Sequence, residues 1–248
     1  MTEHTGVACA CCSDAPERPL YTHLSRRRLL RASLAGAVAS AVGGGLPFAL
    51  PSPANALAVS SPDEALKLLV DGNQRFADRK LTFYQQDLGW LQQSTLAKQT
   101  PFASVLSCAD SRVPVEIIFD QSIGQIFVNR VAGNLATTEI IASIEYGVAV
   151  LGTKVIMVLG HRNCGAVHAA IDGKAVPGQI SSLYRFIRPA VNQAGDDLKA
   201  ATIANAKIQA QLLRESSPVL SDFIKQGQLK VVAAYFDIEV GRVQLLDS

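Results

Sequence analysis

Two kinds of hydrophobic pattern meet at about residue 58. Residues 1–20 are polar and show no periodicity; after Ser25-Arg26-Arg27-Arg28-Leu29-Leu30-Arg31 an apolar, Ala/Gly-rich run extends to about Leu50. Beyond residue 58 the apolar positions become periodic. Ser61-Pro62-Asp63-Glu64 has the form of a helix start, with Ser as the N-cap, Pro at the first helical position and Glu three residues past the cap. Ala65, Leu66, Leu68, Leu69 and Phe76 then supply one apolar face, and a second helix is predicted around Leu88 to Lys98.

From Phe102 the pattern alternates. Phe102–Cys108 reads as a short apolar strand, Val115–Phe119 as a helical turn after Pro114, and Gln125–Asn129 as a second strand ending in a tight Gly133-Asn134 loop. Thr137–Leu151 has helical spacing through Ile140, Ile144 and Val148. Lys154–Leu159 is a continuous apolar run, as expected of a parallel strand covered on both faces. Gly160 is read as breaking it, and Cys164 as opening a helix. Ser181–Ser217 reads as mostly helical, Leu229–Tyr235 as a fourth strand, and Arg242–Leu246 as a short edge strand in a hairpin. Alternating strands and helices predict an α/β fold: a mainly parallel sheet flanked by helices, with an antiparallel C-terminal edge. The expected organisation is a leader at 1–58, an N-terminal helical arm at 59–100 and a catalytic α/β domain at 101–248.

Composition narrows this further. Of 23 Lys and Arg and 21 Asp and Glu, five and three fall within residues 1–58, which leaves 18 of each sign on the body. A neutral body carries no electrostatic footprint for nucleic acid. The leader has paired arginines, a mildly hydrophobic core and Ala-x-Ala sites at 54–58, the marks of a twin-arginine export signal. The expected destination is the periplasm or a thylakoid lumen. A single membrane-anchoring helix is the alternative, weakened by Arg31, Pro47 and the many glycines; an uncleaved signal would tether the same domain. Cys9, Cys11 and Cys12 fall in this leader and are read as having no lasting role.

Cys108 and Cys164 are the only cysteines of the body, and His161 stands three residues before Cys164. Ligands of α/β sheets bind at the carboxyl ends of strands, and these residues follow two predicted strands. Two thiolates and one imidazole fill three tetrahedral positions of Zn²⁺ and leave one for water, the pattern of a catalytic site. Such a water is acidified toward neutrality. A Cys108–Cys164 disulfide is the alternative, but the nearby His fits metal ligation better. Asp110, two residues past Cys108, is placed to accept a hydrogen bond beside the metal, and Arg112 can pair with it in a bidentate fashion and keep it ionised. His168 is expected to lie at the surface or in packing.

Cys108-x-Asp110-x-Arg112 followed by His161-x-x-Cys164-Gly165 resembles the β-class carbonic anhydrases. So do Phe127-Val128-x-Arg130, Ala132-Gly133-Asn134, Ile144-Glu145-Tyr146 and Tyr235-Phe236-Asp237-Ile238, so that the likeness runs from about Ser61 to the C-terminus. The resemblance implies Zn²⁺ on Cys108, His161 and Cys164, an Asp110–Arg112 dyad, and interconversion of CO₂ and bicarbonate by zinc-hydroxide attack. It implies a homodimer or dimer of dimers, with the N-terminal arm embracing the partner and the pocket at the interface. Gln99 and Tyr146 look like the polar pocket residues of the plant-like branch, Phe127 like the apolar wall beside CO₂, and Ala132 and Gly133 also fall at substrate-contacting positions. In the bicarbonate-regulated branch a Trp stands three residues before the first Cys ligand; here that residue is Val105. Other expectations compatible with the residues are hydrolysis of carbonyl sulfide or carbon disulfide, which are also linear and apolar, or a non-catalytic zinc-binding scaffold.

Overall fold

The computed structural model describes residues 59–246; the segment expected to direct export and Cys9, Cys11 and Cys12 lie outside the described residues. Helix α1 (Pro62–Ala77) opens as the sequence suggests: Ser61 Oγ accepts the Glu64 N–H, and Pro62 occupies the first turn. Glu64 folds back one residue further than in the usual capping box, accepting from the N–H and hydroxyl of Ser60. A 3₁₀ turn (Phe83–Gln85) and α2 (Leu88–Thr95) lead into the sheet. The helical segment at 59–100 divides in its packing: α1 buries Ala65 and Leu69 in the core of its own chain, whereas α2 buries only Leu91.

The sheet is built from β1 (Ala103–Ser107), β2 (Ile126–Arg130), β3 (Val155–His161), β4 (Lys230–Asp237) and β5 (Arg242–Leu246), in the order β2-β1-β3-β4-β5. The first four are parallel and β5 pairs antiparallel with β4. Helices α3 (Val115–Ile118), α4 (Thr138–Ala149), α5 (Gly165–Asp172), α6 (Tyr184–Ala194), α7 (Leu198–Ser216) and α8 (Pro218–Lys225) make the crossovers. One face of the sheet packs Val105, Met157, Leu159 and Phe236 under α1 and α3; the other packs Leu106, Ile156, Val158 and Ala233 under α4, α7 and α8.

Three details differ from the sequence reading. β3 continues through Gly160 to His161, so His161 ends the strand rather than following it. The long helical region is broken at Gly195–Asp197, where Gly195 takes φ 65° and Asp197 caps α7. A further helix, α8, follows Ser217-Pro218, a start signal of the same kind as Ser61-Pro62.

Gly72 fixes how closely α1 approaches the α3 turn. A Cβ there would stand 1.8 Å from the Phe119 carbonyl oxygen. That oxygen is backbone and also accepts from Gln121, so it does not yield as a side chain would. Gly72→Ala is therefore expected to destabilise the fold by about 3 kcal/mol or more through overpacking, read as a lowered midpoint in urea unfolding; an unchanged midpoint would show that α1 shifts freely on the sheet.

Candidate metal centre

The register of the sheet brings the two predicted segments together. β1 and β3 are neighbours with Ser107 level with Leu159, so Cys108 leaves the sheet beside the last two residues of β3. Asn163, at φ 54°, turns the chain after His161 so that Cys164 becomes the N-cap of α5; asparagine tolerates this left-handed conformation better than most residues.

The three donor atoms of Cys108, His161 and Cys164 lie within 4.8 Å of one another, with the two sulfurs 4.0 Å apart. Two sulfurs on one tetrahedral zinc stand about 3.8 Å apart. Both thiols are free and buried. His161 Nδ1 lies 3.0 Å from the Arg162 carbonyl oxygen. Because a carbonyl only accepts, Nδ1 carries the proton and Nε2 presents its lone pair to the sulfurs. Nε2 is buried and has no hydrogen-bond partner. An orphaned imidazole nitrogen facing two thiols is the donor set that a soft divalent cation such as Zn²⁺ satisfies.

Hydrogen bonding from Cys164 lowers Cys108 below the usual thiol range against the opposing effect of burial, with smaller help from His161 and the Gly133 N–H. The same contact with Cys108, together with burial, pushes Cys164 up, while the Val167 and Ala166 N–H groups at the start of α5 pull it down.

Asp110 and Arg112 form the ion pair expected of them. Arg112 Nε donates to Oδ1 at 2.9 Å and Nη2 to Oδ2 at 2.7 Å, while the Arg112 backbone N–H also donates to Oδ1 at 2.9 Å. The side-chain bonds from Arg112 are the main reason that the carboxyl is held far below the usual carboxylate range. Oδ2 lies 3.9 Å from His161 Nε2, so the carboxylate stands at the edge of the Cys108–His161–Cys164 group. Arg112 Nη2 also donates to the Asn163 carbonyl at 3.2 Å and thereby ties the first segment to the second.

Arg130, quoted in the sequence only as part of a motif, holds the loop from below: Nε donates to the Cys108 carbonyl at 2.9 Å and Nη2 to the Asp110 carbonyl at 2.6 Å. The Gly133 N–H donates to Cys108 Sγ at 3.3 Å. Gly133, at φ 84°, and Asn134, at φ 48°, make the tight turn that aims this N–H. Ala132 precedes them in the same turn. The remaining predicted pocket residues lie elsewhere in this chain. Gln99 is exposed between α2 and β1. Phe127 pairs with Ser104, four residues before Cys108, about 13 Å down the strand direction. Tyr146 on α4 stacks at a tilt against Phe127, with ring centroids 6.3 Å apart. His168 is exposed, with Nδ1 4.0 Å from Asp172.

A family profile described as carbonic anhydrase matches residues 103–243. Carbonic anhydrase 2 of Mycobacterium tuberculosis is 34% identical over 196 residues, which span 76% of this chain and 94% of that protein. The β-carbonic anhydrase of Coccomyxa, solved with acetazolamide, superposes with a TM-score of 0.59 at 26% identity, over 73% of this chain and 86% of that one. A tetrameric β-carbonic anhydrase of Sordaria macrospora shares the fold, with a TM-score of 0.61 at 23% identity over 74% and 97% of the two chains.

Proposed function

The chain belongs to the β-class carbonic anhydrase family, and from that premise we propose that it catalyses the reversible hydration of CO₂ to bicarbonate and a proton. The observation that carries this reading is the Cys108–His161–Cys164 group with the ionised Asp110 carboxylate at its edge, held there by Arg112. Cys108, His161 and Cys164 would hold Zn²⁺, whose Lewis acidity supplies a nucleophilic water near neutral pH.

The chain's own groups have definite tasks. His161 donates its Nδ1 proton to the Arg162 carbonyl, which fixes the orientation of the ring and leaves Nε2 facing the two sulfurs. Asp110 Oδ1 already accepts two hydrogen bonds from Arg112, whereas Oδ2 accepts one and turns toward the ligands. Oδ2 thus has a lone pair for a proton-bearing oxygen and orients it. An acceptor that is never protonated in the working range selects a nucleophile with a hydrogen to give. CO₂ is uncharged and needs an apolar wall, a role for Phe127. Gln99, Phe127 and Tyr146 lie away from their own chain's centre, and Tyr84, Leu88, Trp90, Leu96, Ile123 and Val150 expose large apolar side chains. A homodimer, or a dimer of dimers, in which one chain's patch faces the other's metal centre would use these features together. Ser25–Arg31 and the Ala-rich segment after it support export by the twin-arginine route to the periplasm or a thylakoid lumen.

The test is zinc content together with stopped-flow CO₂ hydration on protein beginning near residue 59. One zinc per chain and rapid hydration are expected. Zinc without hydration would leave a binding scaffold, and hydrolysis of carbonyl sulfide or carbon disulfide without CO₂ turnover would move the chain to that reaction.

Val105 leads to a second expectation. It is fully buried on β1 where the bicarbonate-regulated branch carries Trp, and Asp110 is locked onto Arg112. Added bicarbonate is therefore expected to inhibit only as product, without cooperativity, and Asp110 to stay off the metal. Sigmoidal loss of activity with rising bicarbonate at neutral pH would contradict this.

A further inference from the structure

The metal-ligating sulfur of Cys108 is connected to two buried amides on α7, on the far side of the 131–136 loop. Asn205 and Gln209 are 0% and 1% exposed, one helical turn apart on the buried face of α7, which they share with Thr202 and several alanines. Asn205 Nδ2 donates to the Gly133 carbonyl at 2.8 Å. Gln209 Nε2 donates to Asn205 Oδ1 and to the Phe186 carbonyl, both at 3.2 Å. Gln209 Oε1 accepts the Ala136 N–H at 2.9 Å. The two amide orientations are fixed by their partners: a backbone N–H is met only by oxygen and a backbone carbonyl only by nitrogen. The loop is thus clamped at the Gly133 carbonyl and at the Ala136 N–H, and just before the first clamp the N–H of Gly133 points at Cys108 Sγ.

We propose that Asn205, oriented by Gln209, is a positioning residue for the metal centre: it anchors Gly133 by its carbonyl, and so holds in place the N–H on the other side of the same residue, which bonds the Cys108 thiolate. Neither amide touches the donor atoms, so any effect on the metal must pass through Gly133 and its loop. A hydrogen bond to a metal-bound thiolate withdraws charge from the sulfur and alters its bond to the metal. Polar burial of this kind is costly unless it is fully satisfied, and Gln209 uses both donors and its oxygen here.

The proposal rests on the metal-centre reading, and its test reads the metal rather than CO₂ turnover. Three variants are compared with the parent protein: Asn205→Leu, Gln209→Met and Leu213→Ala. Leu213 is fully buried on the same helix but takes no part in the amide chain, so it reports what plain loss of packing does. Each protein is loaded with Co²⁺ for its thiolate-to-metal charge-transfer band, and separately with Zn²⁺ for transfer to a chromogenic chelator. With Asn205→Leu the band should move to lower energy, and zinc transfer should quicken by about tenfold or more, the range seen when supporting partners of metal ligands are removed. Gln209→Met, which leaves Asn205 in place but unheld, should shift both in the same direction by less. Leu213→Ala should lower the unfolding temperature and leave band and transfer rate at parental values. An unshifted band and unchanged transfer in Asn205→Leu and Gln209→Met would overturn the proposal and leave the amides as a helix–loop clamp; if Asn205→Leu does not fold, Gln209→Met decides alone. A parent chain that takes up neither metal would overturn the metal-centre reading itself, an outcome distinct from shifted metal binding in a chain that hydrates no CO₂.

Discussion

Replacing His161 with alanine is expected to leave the protein without zinc and without CO₂ hydration. Zinc measured by elemental analysis should fall from about one ion per chain to near none, because two thiolates alone do not complete a three-donor site. The Lewis-acid contribution lost with the ion amounts to several kcal/mol, on the order of a thousandfold or more in rate. The fold should survive: His161 is the last residue of β3, its Nε2 satisfies nothing in the protein, and its Nδ1 holds only the neighbouring carbonyl. Circular dichroism should therefore report native helix and strand content. The parent protein decides the disulfide alternative. With sulfurs 4.0 Å apart and both thiols free, the parent protein begun near residue 59 should show two thiols that react only after chelation. Two thiols that never react until a reductant is added would mean a Cys108–Cys164 bridge instead, and the metal reading would fail with it.

How far the sequence carries the structure depends on what each feature rests on. The β3 run was legible because a strand covered on both faces has no polar positions to confuse the pattern, and all seven of its residues are buried. The C-terminal hairpin strand at Arg242–Leu246 has the predicted bounds. Gly160 misled because a glycine in a strand has two meanings. It can end the strand, or it can admit a close neighbour. Here a Cβ would stand 3.2 Å from the Thr202 methyl and carbonyl of α7, so the glycine serves helix packing and the strand runs on. At the metal centre, Cys108, His161 and Cys164 were legible because their chemistry is rare in the chain and their strands are adjacent. Asp110 and Arg112 were legible from spacing alone, since a carboxylate and a guanidinium two residues apart close on each other around a turn. Asn205 and Gln209 were not singled out. Amides in an alanine-rich helix look like solvent-facing residues, and only the fold shows that their face is inward. The one available signal was polar residues at 202, 205 and 209, spaced to share one side of the helix. Gln99, Phe127 and Tyr146 show another limit: matched positions in a sequence do not say how far apart the side chains stand, and in this chain Phe127 and Tyr146 pack on each other down the sheet from Cys108.

Asp110→Asn should keep the zinc and lose most of the activity. None of the three donor atoms belongs to Asp110, so metal content should stay near one per chain. What changes is the hydrogen-bond logic at the edge of the site. Arg112 presents its backbone N–H and Nε to Oδ1 and its Nη2 to Oδ2. An asparagine can satisfy the first two with its carbonyl oxygen, but then its NH₂ faces both Nη2 and the metal ligands, donor against donor. The group that should accept a proton-bearing oxygen has become a donor, and the ion pair is gone. A loss of about 10²–10⁴-fold in CO₂ hydration is expected, the range for a positioned proton acceptor. The pH dependence separates this role from an ordinary titrating base. Arg112's hydrogen bonds hold the folded carboxyl far below its usual value, and an unfolded aspartate titrates at about 3.9. A depressed folded value means that the linked stability is fully present above the unfolded value and is lost as pH falls through the folded one. The stability deficit of Asp110→Asn relative to the parent should accordingly be constant above about pH 5 and shrink only in stronger acid. Because Asp110 is already ionised throughout the working range, any change of parental activity with pH near neutrality must come from another group, and no choice of pH should rescue the variant. Retained zinc with undiminished hydration would show that Asp110 serves only to fold the 108–112 loop.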